Sequence, residues 1–421
     1  MVTVEFFFDY TCPYAYLAST QIEALCARVG AELVLRPMLL GGLFRAVGTA
    51  NNLNATLLPQ KARVLLNDQR RWASLWEVDL AVPRPGGYAR SVEALRATLV
   101  LQTEADRRRA MHAIYRAHWV DHRDIGELSV LANVLDGCGL DGAAVVAGID
   151  DTAKRLLREN TDEAAARGAF GAPTMFVGSE MFYGQDRLGM LERALGGSPR
   201  EPGEGRYVRE GAAPDVSFYY DVSSPFAYLA GTQIEGLARA RGARVLWRPI
   251  FLGGLFKSLE GPTAPFATFS ANKQRFVTED LTRCALALGA PYRWNTSFPV
   301  RSLKAQRIAV GLCPEGDQGS FARVSAWAQR VFRAVWAEDQ DPEDDAVLAR
   351  CLADVGEAPE VLALATDPAC KQGLIVRTQE AMDAQIFGVP TFVIEGKAVW
   401  GQDRLSHVAR MLEGWAPPDM N

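Results

Sequence analysis

The sequence predicts an α/β protein built as two tandem copies of one domain, and three observations predict it. Val4 to Phe44 aligns without a gap on Val216 to Phe256, with more than half of the pairs identical. Near the end of each half, Phe170-Gly-Ala-Pro-Thr174 meets Phe387-Gly-Val-Pro-Thr391, and Gly184-Gln-Asp-Arg-Leu188 meets Gly401-Gln-Asp-Arg-Leu405. Between the halves, Gly196-Gly-Ser-Pro-Arg-Glu-Pro-Gly-Glu-Gly205 has the Gly, Pro and charge content of a linker. Self-similarity at this spacing decides the architecture before any local reading does. Domains over 1–197 and 214–421, joined by a linker over 198–213, are expected.

Each element follows in order. Val4–Asp9 is a continuous apolar run of strand length. Pro13 stands where a helix opens, and Tyr16 to Cys26 has helical periodicity. Glu32–Arg36 is a second strand, and two strands joined by a helix make a parallel right-handed crossover. Residues 57–168 are rich in Ala, Leu, Arg and Glu and read as several helices. Thr174–Val177 and Glu180–Tyr183 read as a hairpin, and a helix is expected from about Arg187 to Leu195.

Composition narrows the function. The 421 residues carry a formal net charge of -5, which gives no electrostatic reason to expect nucleic acid or an anionic membrane as partner. No apolar run approaches a membrane span and the first residues read as a strand, so neither an anchor nor a signal peptide is expected, and the cytoplasm is the expected location. The seven cysteines form no Cys-x-x-Cys pair and no regular spacing, which argues against a disulfide framework and a zinc site. His118 and His122 stand four apart, but their counterparts are Val335 and Asp339, so a surface pair and no metal are expected.

The chemistry is expected at the strand-to-helix corner, Asp9-Tyr-Thr-Cys-Pro-Tyr-Ala15 in the first copy and Asp221-Val-Ser-Ser-Pro-Phe-Ala227 in the second. A helix N-terminus offers unpaired N–H groups and the positive end of the macrodipole, which stabilise a thiolate. Cys12 can be that thiolate, and a pKa below the free value is expected for it. Ser224, its counterpart, can donate a hydrogen bond to another molecule's thiolate. Either residue can equally be an N-cap or a small buried side chain. Pro173 and Pro390 sit at strand entries, as ordinary first-strand prolines or as cis-prolines shaping a site.

Taken together, (Ser/Cys)-Pro-(Tyr/Phe)-Ala-Tyr-Leu-Ala, a helical insertion, Phe-Gly-x-Pro-Thr and (Tyr/Trp)-Gly-Gln-Asp-Arg-Leu resemble the 2-hydroxychromene-2-carboxylate isomerases. These are relatives of kappa-class glutathione transferases in the DsbA branch of the thioredoxin superfamily. The resemblance covers essentially all of both copies apart from the linker and the C-terminal tail. It implies two thioredoxin-like domains with helical insertions, bound glutathione, and cis peptides at Pro173 and Pro390. By position, it implies that Ser224 hydrogen-bonds the glutathione sulfur and that the backbone of Val389 pairs with the cysteinyl amide. Gln402 and Asp403 would hold the γ-glutamyl end, and Lys273 the glycyl carboxylate. The same places in the first copy are Cys12, Lys61, Ala172, Pro173, Gln185 and Asp186. Cys12 departs from the family's serine, and Ala15 stands where a disulfide oxidoreductase keeps its second cysteine.

The expected function is therefore a glutathione-dependent isomerase acting on an aromatic 2-oxo acid or its cyclic hemiketal. The alternatives are a thiol oxidoreductase or glutathione transferase using Cys12, and a non-catalytic glutathione-binding module. The expected partners are glutathione and a small aromatic carboxylate, and the expected assembly is a monomer whose copies pack as an internal pseudo-dimer. Trp72, Trp76, Trp119, Trp327 and Trp336 fall on helices, in the core or lining an aromatic substrate pocket. Arg96 and Arg307 lie in matching Ser-x-x-Ala-x-Arg settings and are expected on a helix surface.

Overall fold

The computed structural model describes residues 2–49, 58–81, 90–259, 265–313 and 321–419. The first copy runs β1 (Thr3–Phe8), α1 (Pro13–Val29), β2 (Glu32–Pro37), α2 (Leu40–Ala46), α3 (Pro59–Trp76), α4 (Val92–Val100), α5 (Glu104–Trp119), α6 (Leu128–Gly137), α7 (Gly142–Ala147), α8 (Asp151–Ala166), β3 (Thr174–Val177), β4 (Glu180–Tyr183) and α9 (Leu188–Ala194). The second runs β5 (Val216–Tyr220), α10 (Pro225–Arg239), β6 (Val245–Pro249), α11 (Leu252–Ser258), α12 (Ala271–Ala287), α13 (Leu303–Leu312), α14 (Phe321–Trp336), α15 (Asp345–Asp354), α16 (Pro368–Asp383), β7 (Thr391–Ile394), β8 (Lys397–Trp400) and α17 (Leu405–Leu412). Of the helical stretch read from the sequence, residue 57 and residues 82–89 lie outside the described residues.

Each copy forms a four-stranded sheet, ordered β2-β1-β3-β4 and β6-β5-β7-β8. The central strands β1 and β5 pair in parallel with β2 and β6, and antiparallel with β3 and β7. Strands flanked on both sides and covered by helices carry near-continuous apolar runs, and Phe6, Phe7 and Phe8 are fully buried. No helix among the described residues is long and apolar enough to cross a membrane.

The copies pack on each other through α3 and α12. Arg71 of α3 donates to the Ala398 carbonyl in β8 at 2.7 Å, and Leu75 joins the second copy's core. Reciprocally, Asn272 of α12 donates to the carbonyls of Ala165 and Ala169 at 2.9 and 3.1 Å. Phe276 packs on Phe170 and Tyr183 with ring centroids 5.4 and 5.8 Å away. The residues between the copies touch both of them: Arg206 pairs with Glu77 at 3.1 Å, and Arg209 donates to the Met411 carbonyl at 2.9 Å and pairs with Glu395 at 3.1 Å.

Candidate active sites at the two helix corners

Both corners are built by the aspartate that ends the first strand. Asp9 accepts from Thr11 N at 3.0 Å and from Leu40 N at 2.9 Å, and Asp221 accepts from Ser223 N and Leu252 N at 2.9 and 2.8 Å. Each carboxylate thus ties the corner to the start of α2 or α11. Burial pushes Asp221 above the usual carboxylate range, against the pull of those hydrogen bonds. Tryptophans close the floor from below: Trp119 donates to the Tyr10 carbonyl and Trp336 to the Val222 carbonyl, both at 2.9 Å.

On this frame Cys12 and Ser224 occupy the N-cap positions of α1 and α10, each followed by proline in the first turn. Ser224 Oγ accepts from Ala227 N at 3.2 Å. That bond uses a lone pair and leaves the hydroxyl proton as a donor. Cys12 makes no side-chain cap bond; its Sγ donates instead to the Ala172 carbonyl at 3.2 Å. The Ala172–Pro173 and Val389–Pro390 peptides are cis, as the resemblance implies. Thr174 and Thr391, which follow these prolines, donate back to the carbonyls of Gly171 and Gly388 at 2.9 and 2.7 Å, fixing the strand entry.

The expectation of a lowered Cys12 pKa is overturned. Cys12 is 8% exposed, and burial pushes its thiol up to about 12, although the N–H groups of Ala15 and Tyr14 pull it down and Asp9 raises it. Desolvation outweighs the helix terminus because the sulfur lies inside the fold. The expected surface pair of histidines is also corrected: His118 and His122 are half-buried, and burial pushes His118 down to about 4.

Gln185, Asp186, Gln402 and Asp403 come together on one cleft of about 690 Å3 between the copies. Gly184 and Gly401 precede them at φ 99° and 112°, and a Cβ at either would sit 2.5 Å from the aspartate Oδ1 two residues on. Glycine is required there on both counts. Gln185 is 3% exposed and its Nε2 has no hydrogen-bond partner among the described residues.

The aspartates are held in a network that sequence reasoning missed. Arg187 pairs with Asp186, Asp280 and Asp403 at 3.2, 2.8 and 3.2 Å. Arg404 pairs with Asp68, Asp186 and Asp403 at 2.6, 2.6 and 3.0 Å. Because Arg187 and Arg404, Asp186 and Asp403, and Asp280 and Asp68 occupy equivalent positions, this is the reciprocal pattern of a two-fold interface within one chain. Burial raises Asp186 despite both arginines, whereas for Asp403 the arginines outweigh burial and hold it low. The Asp-Arg pair repeated in the two copies was the signal that could have found this network.

Of the lysines, Lys61 lies with its ammonium 5.8 Å from the Trp400 ring of the other copy, and Lys273 3.9 Å from the Phe269 ring of its own. Burial, aided by the charge of Lys61, pushes Lys273 down to about 8. Arg96 pairs with Glu93 and Arg307 donates to the Ala365 carbonyl, both part-buried.

A sheet of this order, a cis-proline facing the first helix and an inserted helical block define a thioredoxin-type domain, here present twice. The family model of the DsbA-like thioredoxin domain matches residues 3–196 and again 215–413, and the chain belongs to that family. A 2-hydroxychromene-2-carboxylate isomerase of Pseudomonas sp. (strain C18) is 33% identical over 201 residues, 47% of this chain and 92% of the relative. One of Sphingobium xenophagum is 34% identical over 197 residues, 46% and 97% of the two chains. Glutathione S-transferase kappa 1 of Rattus norvegicus is 26% identical over 210 residues, 46% and 90%. A solved 2-hydroxychromene-2-carboxylate isomerase aligns at 28% identity over 46% of this chain and 94% of its own, with a TM-score of 0.41. Each relative corresponds in length to about half of this chain.

Proposed function

We propose that the chain is a glutathione-dependent isomerase acting on an aromatic 2-oxo acid or its cyclic hemiketal, with the second copy carrying the chemistry. The observation that carries this reading is the Ser224 hydroxyl, which accepts from Ala227 N and keeps its proton for a sulfur at the N-terminus of α10. The residues present fit glutathione in either copy: Gln185 with Asp186 and Gln402 with Asp403 line one cleft, and Gln185 Nε2 has no hydrogen-bond partner among the described residues, which suits a γ-glutamyl end that carries both an amine and a carboxylate. When bound, glutathione supplies a thiolate for reversible addition to an unsaturated carbon, so that the former double bond can rotate before elimination. Ser224 and the helix terminus hold that sulfur in its charged form. The Val389 backbone beside Pro390 pairs with the cysteinyl amide, Gln402 and Asp403 orient the γ-glutamyl end, and Lys273 meets the glycyl carboxylate.

Cys12, Lys61, Ala172, Pro173, Gln185 and Asp186 form the matching set in the first copy, which we assign a binding rather than a catalytic role. A thiol pushed up to about 12 and engaged with the Ala172 carbonyl is a poor nucleophile at neutral pH. We further propose folding units over 1–197 and 214–421 with a linker over 198–213, and a 46.0 kDa monomer in solution. Seven free cysteines suit a reducing compartment such as the cytoplasm.

The test is turnover of an aromatic unsaturated 2-oxo acid, followed by absorbance with reduced glutathione counted before and after. Isomerisation with glutathione unconsumed is expected. Consumption of one glutathione per turnover would make the chain a transferase, and Cys12-dependent reduction of glutathione disulfide would make it an oxidoreductase.

A further inference from the structure

The second copy carries a wall of aromatic rings that the function above does not use. Phe266 lies 5.0 Å from Trp294 and 5.5 Å from Phe298, ring centroid to ring centroid, and Trp294 lies 4.8 Å from Phe298. Phe269 adds a fourth ring 6.0 Å from Phe266. All four are only half-buried, so one flank of the wall faces outward. Clustered, partly exposed aromatic rings are costly to leave in water and mark binding faces.

Two contacts connect the wall to residues of the proposed site. Behind it, Trp294 packs 6.2 Å from Trp336, the buried ring that supports the corner through Val222, two residues before Ser224. At its other end, the Lys273 ammonium lies over Phe269.

The first copy's sequence lacks the counterparts of Phe266, Phe269 and Trp294. Phe266-Ala-Thr-Phe269 corresponds to Asn54-Ala-Thr-Leu57, each followed four residues later by the matched lysine. The N–H of Arg293 donates to the Trp336 carbonyl at 2.6 Å, and that of Ala81 to the Trp119 carbonyl at 2.9 Å, so these two positions are equivalent. The next residue is Trp294 in one copy and Val82 in the other.

We infer that Phe266, Trp294 and Phe298 form the face on which the flat ring of an aromatic acid substrate stacks, so that only the second copy selects aromatic over open-chain substrates. The inference rests on the isomerase reading for the identity of the reacting molecule, but the selectivity itself is a binding property. A ring stacked on the wall gains offset and edge contacts that an open chain of the same length cannot make.

Calorimetric titration of the full chain, saturated with reduced glutathione, tests this with benzylidenepyruvate and the open-chain 2-oxohex-3-enoate. The parent binds the aromatic acid at least tenfold tighter. Trp294→Val combined with Phe266→Asn removes about tenfold of that preference and leaves glutathione affinity unchanged, and Trp294→Phe in place of Trp294→Val restores most of it. Equal binding of the two acids by the parent overturns the inference, as does a variant that weakens both acids equally. A parent that prefers benzylidenepyruvate without isomerising it keeps the wall and removes the isomerase reading. A parent that isomerises both acids with no preference does the reverse.

Discussion

The corner at Cys12 and the corner at Ser224 share a backbone and differ in what one atom does. Ser224 Oγ turns inward along its own helix and caps it at Ala227 N, whereas Cys12 Sγ reaches across to the carbonyl before the cis-proline. A hydroxyl is small, hydrogen-bonds well and stays neutral, so it can serve the helix and still offer a proton. Sulfur is larger and a weak cap, and once buried its ionisation is opposed by desolvation. A helix N-terminus therefore does not by itself make a cysteine reactive; the solvent reaching the sulfur decides.

Four measurements sharpen or break this comparison. The largest effect is expected where the copies are most alike. Arg404→Ala leaves Asp68 and Asp186 buried against fewer cations, and Arg187→Ala does the same to Asp280. Each should cost about 3–5 kcal/mol in urea unfolding. A cost below about 1 kcal/mol for either would mean that the network behaves as a surface ion pair.

Next comes the Cys12 thiol. With its pKa up to about 12 it should alkylate at pH 7.5 about a hundredfold or more slowly than a free thiol, and more slowly than the half-buried Cys138. Pulse labelling with mass spectrometry decides. The sign for stability follows: the folded pKa lies above the unfolded one, so this contribution is complete below pH ~9 and is lost as pH rises toward 12. Cys12→Ser should flatten that alkaline limb.

A smaller effect separates the two copies in catalysis. Losing a hydrogen bond to an anion costs about 1.5–3 kcal/mol, so Ser224→Ala should slow glutathione-dependent turnover roughly ten- to a hundredfold. Cys12→Ser should preserve or raise turnover. The opposite pattern would move the chemistry to the first copy and to its own cysteine.

The smallest is a pH effect at a residue the copies do not share. His407 is fully buried beside Trp72 and Trp415, where the matching residue is Met190. Burial, helped by the charges of Arg404 and Arg71 and opposed by Asp403, holds its pKa well below the usual histidine value. Its stabilisation is present above the unfolded pKa of about 6.5 and declines by about 1.4 kcal/mol per pH unit below it. In His407→Met the acid limb of the urea midpoint should be shallower; an unchanged slope would show that folding does not lower the His407 pKa.

Much of the fold was legible because its signals are local or repeated. The apolar run at Val4–Asp9 became β1, and Thr174–Val177 with Glu180–Tyr183 became β3 and β4 with the expected bounds. The corner aspartates stand within the repeated motif, but their task is not legible there: Asp9 acts on Leu40 and Asp221 on Leu252, each 31 residues away. The lysines were placed by position, yet Lys61 lies against a ring of the other copy.

The sequence by itself determined that one α/β unit occurs twice, where each unit's strands and first helix lie, and that a serine in one copy stands where the other has a cysteine. These follow from periodicity and repetition, which are properties of neighbouring residues. Tertiary structure alone decided that Asp186 and Asp403 share Arg187 and Arg404 across the copies, and that burial makes Cys12 a weak acid. Both depend on how much water is removed around a charge and on which distant groups replace it. Neither quantity is written in the spacing of residues along the chain.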